Sequence, residues 1–190
     1  LLKKGVKESL RVGLTPLKIN VVIMKGINDK EVDNFIKLTL DNKVDVRFIE
    51  FMPISNKEEW KKYFISLSEV EANCQEKYDL KESNGGHGGG PAKYYKLKGA
   101  LGKIGFITPL SRHFCKDCCR LRVTANGHIK PCLFTVDQVP LLPHLENQEE
   151  FNEAVEKALK LKPDPNKAAT NPTKRADQCN SGKLMSSIGG

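Results

Sequence analysis

Pro16-Leu17-Lys18-Ile19-Asn20-Val21-Val22-Ile23-Met24 is a β-branched run that reads as a strand. Lys25-Gly26-Ile27-Asn28-Asp29 turns the chain, and Val32, Phe35, Ile36 and Leu40 then recur at helical spacing up to Asp41. Val44-Asp45-Val46-Arg47-Phe48-Ile49-Glu50-Phe51, ended by Pro53, is a second strand. Strand, helix and strand in so short a span predict a βαβ unit with parallel strands, and so an α/β fold.

One face of the first strand carries Lys18 and Asn20, the other Ile19 and Val21. A strand covered on both faces would be apolar throughout. The polar face therefore lines a wet cavity or belongs to an edge strand showing solvent. Arg47 and Glu50, on opposite faces of the second strand, raise the same question.

Outward from this unit, residues 6–12 read as the end of a helix stopped by Gly13. Residues 54–66 read as a loop around Trp60. Ser68-Glu69-Val70-Glu71 reads as a capping box opening a helix to about Tyr78. The glycine-rich stretch 84–91 lacks the flanking strand, helix and Gly-Lys-Ser/Thr ending of a phosphate loop, and reads as a connector. Tyr94–Leu97 and Lys103–Thr108 are expected as short antiparallel strands. Pro140–Pro143 is expected as a turn, Gln148–Leu161 as an amphipathic helix, and residues 162–183 as an extended or disordered tail.

The chain has 190 residues, a hydrophobic content of 39% and a formal net charge of +8. That is an ordinary globular composition, with a charge that suits solubility or an anionic partner. No apolar run approaches a membrane span, and the start lacks a signal-peptide pattern and an initiator Met. The chain is therefore expected to begin partway through a longer protein. Four of the six cysteines fall between Cys115 and Cys132. With no export signal, that crowding points to a metal in a reducing compartment, the cytoplasm, rather than to disulfides.

Cys115 and Cys118 stand two residues apart, and Cys132 follows beyond Val123–Ile129, which reads as a hairpin because Asn126-Gly127 is a strong turn signal. The spacing describes a three-thiolate metal site. Zinc would need a fourth ligand, with His128 or His113 as candidates, whereas a three-thiolate iron–sulfur cluster would keep one iron open. Arg120 and Arg122, alternating on a strand beside the thiols, would suit a purine edge or a phosphate, or would be solvated surface residues.

Phe114-Cys115-x-x-Cys118-x-Arg120-Leu121-Arg122-x-Thr124-Ala125-x-Gly127, then Lys130-Pro131-Cys132-Leu133-Phe134, then Ile188-Gly189-Gly190 together closely resemble the GTP 3′,8-cyclase family. These are radical S-adenosylmethionine (SAM) enzymes that begin molybdenum cofactor synthesis. The strands containing Lys18 and Arg47 are similar to the family's late barrel strands. The resemblance covers nearly the whole chain and is weakest over 135–183. It implies the C-terminal part of an incomplete TIM-like radical SAM barrel in residues 1–66. An α+β region with an auxiliary [4Fe–4S] cluster and GTP would then occupy 67–162, and a tail ending in Gly-Gly would occupy 163–190.

The resemblance further implies Cys115, Cys118 and Cys132 as cluster ligands. Lys18, Arg120, Leu121 and Arg122 would contact GTP, and Met52 would line the SAM site. Arg47, Gly189 and Gly190 would support the active site. A homodimer is among the assemblies it allows, and nucleic acid and membrane are not expected partners. The family's second [4Fe–4S] cluster, which cleaves SAM, is held by Cys-x₃-Cys-x₂-Cys, a motif this sequence lacks. A fragment inactive by itself is therefore expected. Cys119 stands where the family has Asn or another small polar residue. The competing reading, carried by the +8 charge and the hairpin between thiolates, is a zinc-ribbon nucleic-acid module.

Overall fold

The computed structural model describes residues 2–54, 56–84, 90–169 and 171–179. The chain divides into two units, Leu1–Phe51 with Lys61–Arg112 and Met52–Trp60 with His113–Gly190.

The first unit begins with α1 (Leu2–Arg11), β1 (Leu17–Ile23), α2 (Val32–Asp41) and β2 (Val44–Glu50). The βαβ expectation holds, since β1 and β2 pair in parallel with Ile19 opposite Val46 and Val21 opposite Phe48. Residues 57–63 are not loop but a short helix, α3 (Lys57–Tyr63), which contains the boundary between the units; the Asn56 side chain accepts from the Glu58 and Glu59 amides and starts it. Next come α4 (Leu67–Lys77), β3 (Leu80–Ser83), β4 (Lys93–Leu97) and β5 (Ile104–Ile107). The five strands make one mixed sheet in the order β1-β2-β5-β4-β3. β5 lies parallel to β2 and antiparallel to β4, so the two expected short strands extend the sheet that the βαβ unit starts. β3 had no counterpart in the sequence reading.

One face of this sheet is the core. Val21, Ile23, Val46, Phe48, Ile104 and Phe106 are buried against Val32 and Ile36 of α2 and Leu67 and Cys74 of α4. Phe48 stands 5.5 Å from Phe106 and 6.2 Å, edge-on, from Phe35. Each such fully buried side chain contributes about 1.5–3 kcal/mol. The opposite face explains the polar residues of β1. Among the described strands β1 ends the sheet order, and Lys18, Asn20 and Val22 are exposed on it. Arg47 shares that face, over Gly105, where a Cβ would come within 3.2 Å of the Arg47 Cγ. Its Nε is buried with no partner.

Glu50 is not part of a wet face. It is fully buried, and its carboxylate accepts from the amides of Leu67, Leu110 and Ser111 and from the Ser111 hydroxyl. The capping-box expectation also fails in detail. α4 starts two residues early, with Ser66 rather than Ser68 at the N-cap position, and the Ser68 hydroxyl pairs with that of Ser111. Glu71, buried, takes the Tyr95 hydroxyl and the Arg112 guanidinium instead of the helix start.

In the second unit, β6 (Arg122–Val123), β7 (His128–Lys130) and β8 (Val139–Pro140) form a small antiparallel sheet. α5 (Gln148–Lys160) covers it, capped by the Asn147 side chain. Ile129, Val139, Leu141, Ala154 and Ala158 make its core, with Leu121, Phe151 and Val155 packed on them. The 140–143 turn is thus partly a strand, because Val139 has a buried partner in Ile129. The extended-tail expectation is corrected over the described residues: a 3₁₀ turn at Pro165–Lys167 precedes α6 (Pro172–Gln178). Asn171 caps α6 and Pro172 occupies its first position, where a missing N–H costs nothing. Positions 85–89 of the glycine-rich connector, and Gly189 and Gly190, lie outside the described residues. No helix among the described residues is long and apolar enough to cross a membrane.

Candidate metal centre and its cations

Cys115 opens a single 3₁₀ turn, Cys115–Asp117, closed by the Cys118 amide on the Cys115 carbonyl at 3.3 Å. Residues three apart eclipse in such a turn, so Cys115 and Cys118 share a side. Both are half-buried, while Cys119, just past the extended Cys118, is exposed. The β6–β7 hairpin then reverses the chain, pairing Arg122 with Lys130. Its turn is wider than a two-residue Asn-Gly turn. Only Gly127 has positive φ, at +70°, and its amide closes on the Thr124 carbonyl at 2.9 Å. This matches a type I turn followed by a left-handed glycine. At the end of β7, Lys130 is fully buried with its ammonium on the Thr135 carbonyl, and the Thr135 hydroxyl donates to the Cys132 carbonyl at 3.3 Å.

The three thiols lie close enough to act on one another electrostatically. Burial pushes the Cys115 thiol up, Arg175 pulls it down, and Cys132 and Cys118 push it up again. Yet among the described residues no three His, Cys, Asp or Glu side chains converge tightly enough to hold a single metal ion. Of the two imidazoles considered for zinc, His128 places Nδ1 3.1 Å from the Asn126 carbonyl. The His113 Nδ1 is buried without a partner, and burial, then Arg175 and Lys116, holds that ring below its ordinary pKa.

Cations surround the thiols. Arg175 on α6 donates from Nη2 to the Cys115 sulfur at 3.1 Å and lies over the Phe134 ring at 5.6 Å. Lys162 reaches the Cys118 sulfur at 3.9 Å and the Arg120 carbonyl at 2.8 Å. Arg122 is half-buried. Burial and the neighbouring Arg120 lower its pKa, while Cys132 and Cys118 oppose them. Arg120 is exposed and precedes the strand, so the two arginines do not alternate on it as expected. Leu121 packs its side chain on the small sheet's core. Lys18 and Arg47 belong to the first unit; the thiols, Arg120–Arg122 and Met52 belong to the second.

Residues 44–168 match the family Molybdenum Cofactor Synthesis C. The chain belongs to that family. It is 40% identical over 189 residues to a GTP 3′,8-cyclase of Alkaliphilus oremlandii, an overlap of 98% of this chain and 56% of the relative. The corresponding protein of Alkaliphilus metalliredigens is 39% identical over the same shares. That of Listeria monocytogenes is 37% identical over 192 residues, 98% of this chain and 57% of the relative. The chain thus spans about half the length of the curated relatives it matches. The family span contains Arg47, Met52, the three thiols and Arg120–Arg122; Lys18, Arg175 and Cys179 lie outside it.

Arg175 and Lys162 were missed in the sequence, where Cys179 reads only as a stray thiol. Cys179 donates its thiol to the Arg175 carbonyl at 3.1 Å, and burial pushes it up to about 12. Asn171-Pro172, an N-cap followed by a first-turn proline, was the local signal for the helix that carries Arg175.

Proposed function

We propose that this chain is the nucleotide-holding and auxiliary-cluster portion of a GTP 3′,8-cyclase, a radical SAM lyase that rearranges GTP at the start of molybdenum cofactor synthesis. The observation that carries the reading is the donor set: three half-buried thiols influencing one another, ringed by Arg122, Lys162 and Arg175, within a chain of this family. Three sulfurs from two backbone segments, with N–H donors aimed at two of them, fit an anionic [4Fe–4S] cluster.

On this reading Cys115, Cys118 and Cys132 hold the cluster, which when bound supplies a Lewis-acidic iron for a purine. Arg120 and Arg122 grip the nucleotide, since guanidiniums offer paired donors and keep their charge at any working pH. Arg122 is the stronger partner, because its half-buried donors are less hydrated than those of exposed Arg120. Leu121 offers backbone only. Lys18, exposed on β1, neutralises phosphate charge, and Arg47 and Met52 serve the SAM side. Residues 1–66 belong to an incomplete TIM-like barrel, 67–162 to the auxiliary region, and Gly189 and Gly190 to a tail entering the active site. SAM and its own cluster are bound in the whole protein, in the cytoplasm.

Anaerobic reconstitution followed by iron and acid-labile sulfide analysis tests the cluster. Arg122→Ala should weaken GTP binding about 10- to 100-fold, the worth of a charge-assisted pair. Recovery of one zinc and no sulfide would sink the reading, as would Arg122→Ala binding GTP like the parent.

A further inference from the structure

Arg175 is an anomaly in ordinary folding terms. Its side chain is 6% exposed, yet among the described residues no Asp or Glu pairs with it. Nη1 reaches the neutral Gln178 side chain at 3.3 Å, and Nε is buried with no acceptor. Asp177, two residues on, faces Lys57 instead. A buried cation without a counter-ion is expensive, and stacking on Phe134 offsets only part of that cost. The remaining group it faces is the Cys115 sulfur, 3.1 Å from Nη2. A neutral thiol is a weak acceptor and does not compensate a guanidinium, whereas a thiolate does.

We infer that Arg175, seconded by Lys162 on Cys118, is a positioning residue for the metal centre: its guanidinium is the buried counter-charge of the Cys115 thiolate. This rests on the cluster reading above. Arg175 touches a ligand sulfur and acts through it. A hydrogen bond from a cation draws charge off the thiolate and favours the electron-rich, reduced form of a bound cluster, so it raises the reduction potential. It also holds Cys115 in the orientation that binds iron. Lys162, at 3.9 Å and shared with the Arg120 carbonyl, has a weaker grip on its sulfur.

The test compares Arg175→Gln, Arg175→Lys and Lys162→Met with the parent in the full chain, each reconstituted anaerobically with iron and sulfide. Readouts are iron and sulfide per chain, a redox titration followed by EPR, and the rate of iron loss to a chelator. Arg175→Gln, which keeps a donor and loses the charge, should still take up the cluster. It should release iron about tenfold faster, with a one-electron potential lower by the tenfold equivalent, about 59 mV. Arg175→Lys should restore much of both, and Lys162→Met should move them less. A folded Arg175→Gln protein with the parent's potential and release rate overturns the inference. Should Arg175→Gln fail to fold, Lys162→Met carries the test, and a folded Lys162→Met chain with the parent's potential and iron-release rate would do so. If the parent itself takes up no iron and sulfide, the cluster reading fails, and this inference with it.

Discussion

Replacing Glu50 by Gln keeps the shape of a fully buried side chain and exchanges one acceptor oxygen for an NH₂ donor. One carboxylate oxygen accepts from the Leu67 amide at 3.2 Å and from the Ser111 hydroxyl; the other accepts from the Leu110 amide at 2.7 Å and the Ser111 amide at 3.1 Å. An amide NH₂ turned toward the second pair would orphan two N–H groups. Turned toward the first, it orphans Leu67 alone, because the Ser111 hydroxyl can rotate to accept. The cheaper orientation leaves one unsatisfied buried donor, so Glu50→Gln should cost about 1–3 kcal/mol. Glu50→Ala orphans all three amides and should cost at least about 3 kcal/mol.

The pH dependence sharpens the test. Burial raises the Glu50 pKa, and the Ser111, Leu110 and Leu67 hydrogen bonds recover only part of the shift. A raised folded-state pKa means that the native protein binds the proton more tightly than the unfolded chain. The carboxyl's contribution is then fully present below the unfolded value, about 4.3, and is lost as pH rises through the folded value. A protonated Glu50 needs to point only one hydrogen, at Ser111, whereas the amide must place two. The penalty of Glu50→Gln should therefore be largest near pH 4 and shrink as pH rises. Urea denaturation of both proteins followed by circular dichroism, from pH 4 to 8, measures it. A penalty that grows with pH would refute the reasoning, for it would mean that the site prefers the charged form.

Two further outcomes follow from the same geometry. Gly102→Ala would place a Cβ 1.9 Å from the Val44 carbonyl oxygen, a backbone atom that cannot swing aside, so a loss of about 2–4 kcal/mol is expected in the same urea assay. A loss below about 0.5 kcal/mol, the ordinary range for a surface change, would contradict that packing. Thiol alkylation of the metal-free folded chain should modify exposed Cys119 first, and should reach Cys74 and Cys179, pushed up to about 11 and about 12 by burial, only on unfolding. Early labelling of Cys179 would place α6 elsewhere.

The βαβ start was legible because period and β-branching agree over Pro16–Phe51, and its pairing follows from chain length alone. The sheet order was not. Inserting β5 between β2 and β4 is a long-range choice, fixed by Phe106 meeting Phe48, which no local pattern announces. Glu71 shows tertiary packing overriding a local rule. The sequence offers it as the far member of a capping box, but Tyr95 and Arg112 claim its carboxylate more strongly than a helix N-terminus can. Residues 57–63 were misread because their charges mask a seven-residue helix whose sole deeply buried side chain is Trp60. In the candidate site, spacing revealed the thiols, since a 3₁₀ turn and a hairpin are local. Arg175 was invisible because it meets Cys115 from sixty residues away.

The cations around the thiols also bear on how the +8 charge of the chain is used. Arg122 and Arg175 are held where desolvation penalises them, and Arg120 repels Arg122. Such an arrangement opposes folding unless an anion binds the folded state and not the unfolded one, in which case binding and stability rise together. On the proposed reading two anions do this at different depths. The thiolates answer Arg175 and Lys162, while a ligand of higher charge approaching from solvent, as a nucleoside triphosphate would, meets Arg120 and Arg122. The division predicts an order of events: the metal centre first removes the repulsion among the deeper cations, and the nucleotide then binds a framework already set. GTP affinity should accordingly be lower in metal-free protein than in reconstituted protein, and equal affinities would separate the two sites physically.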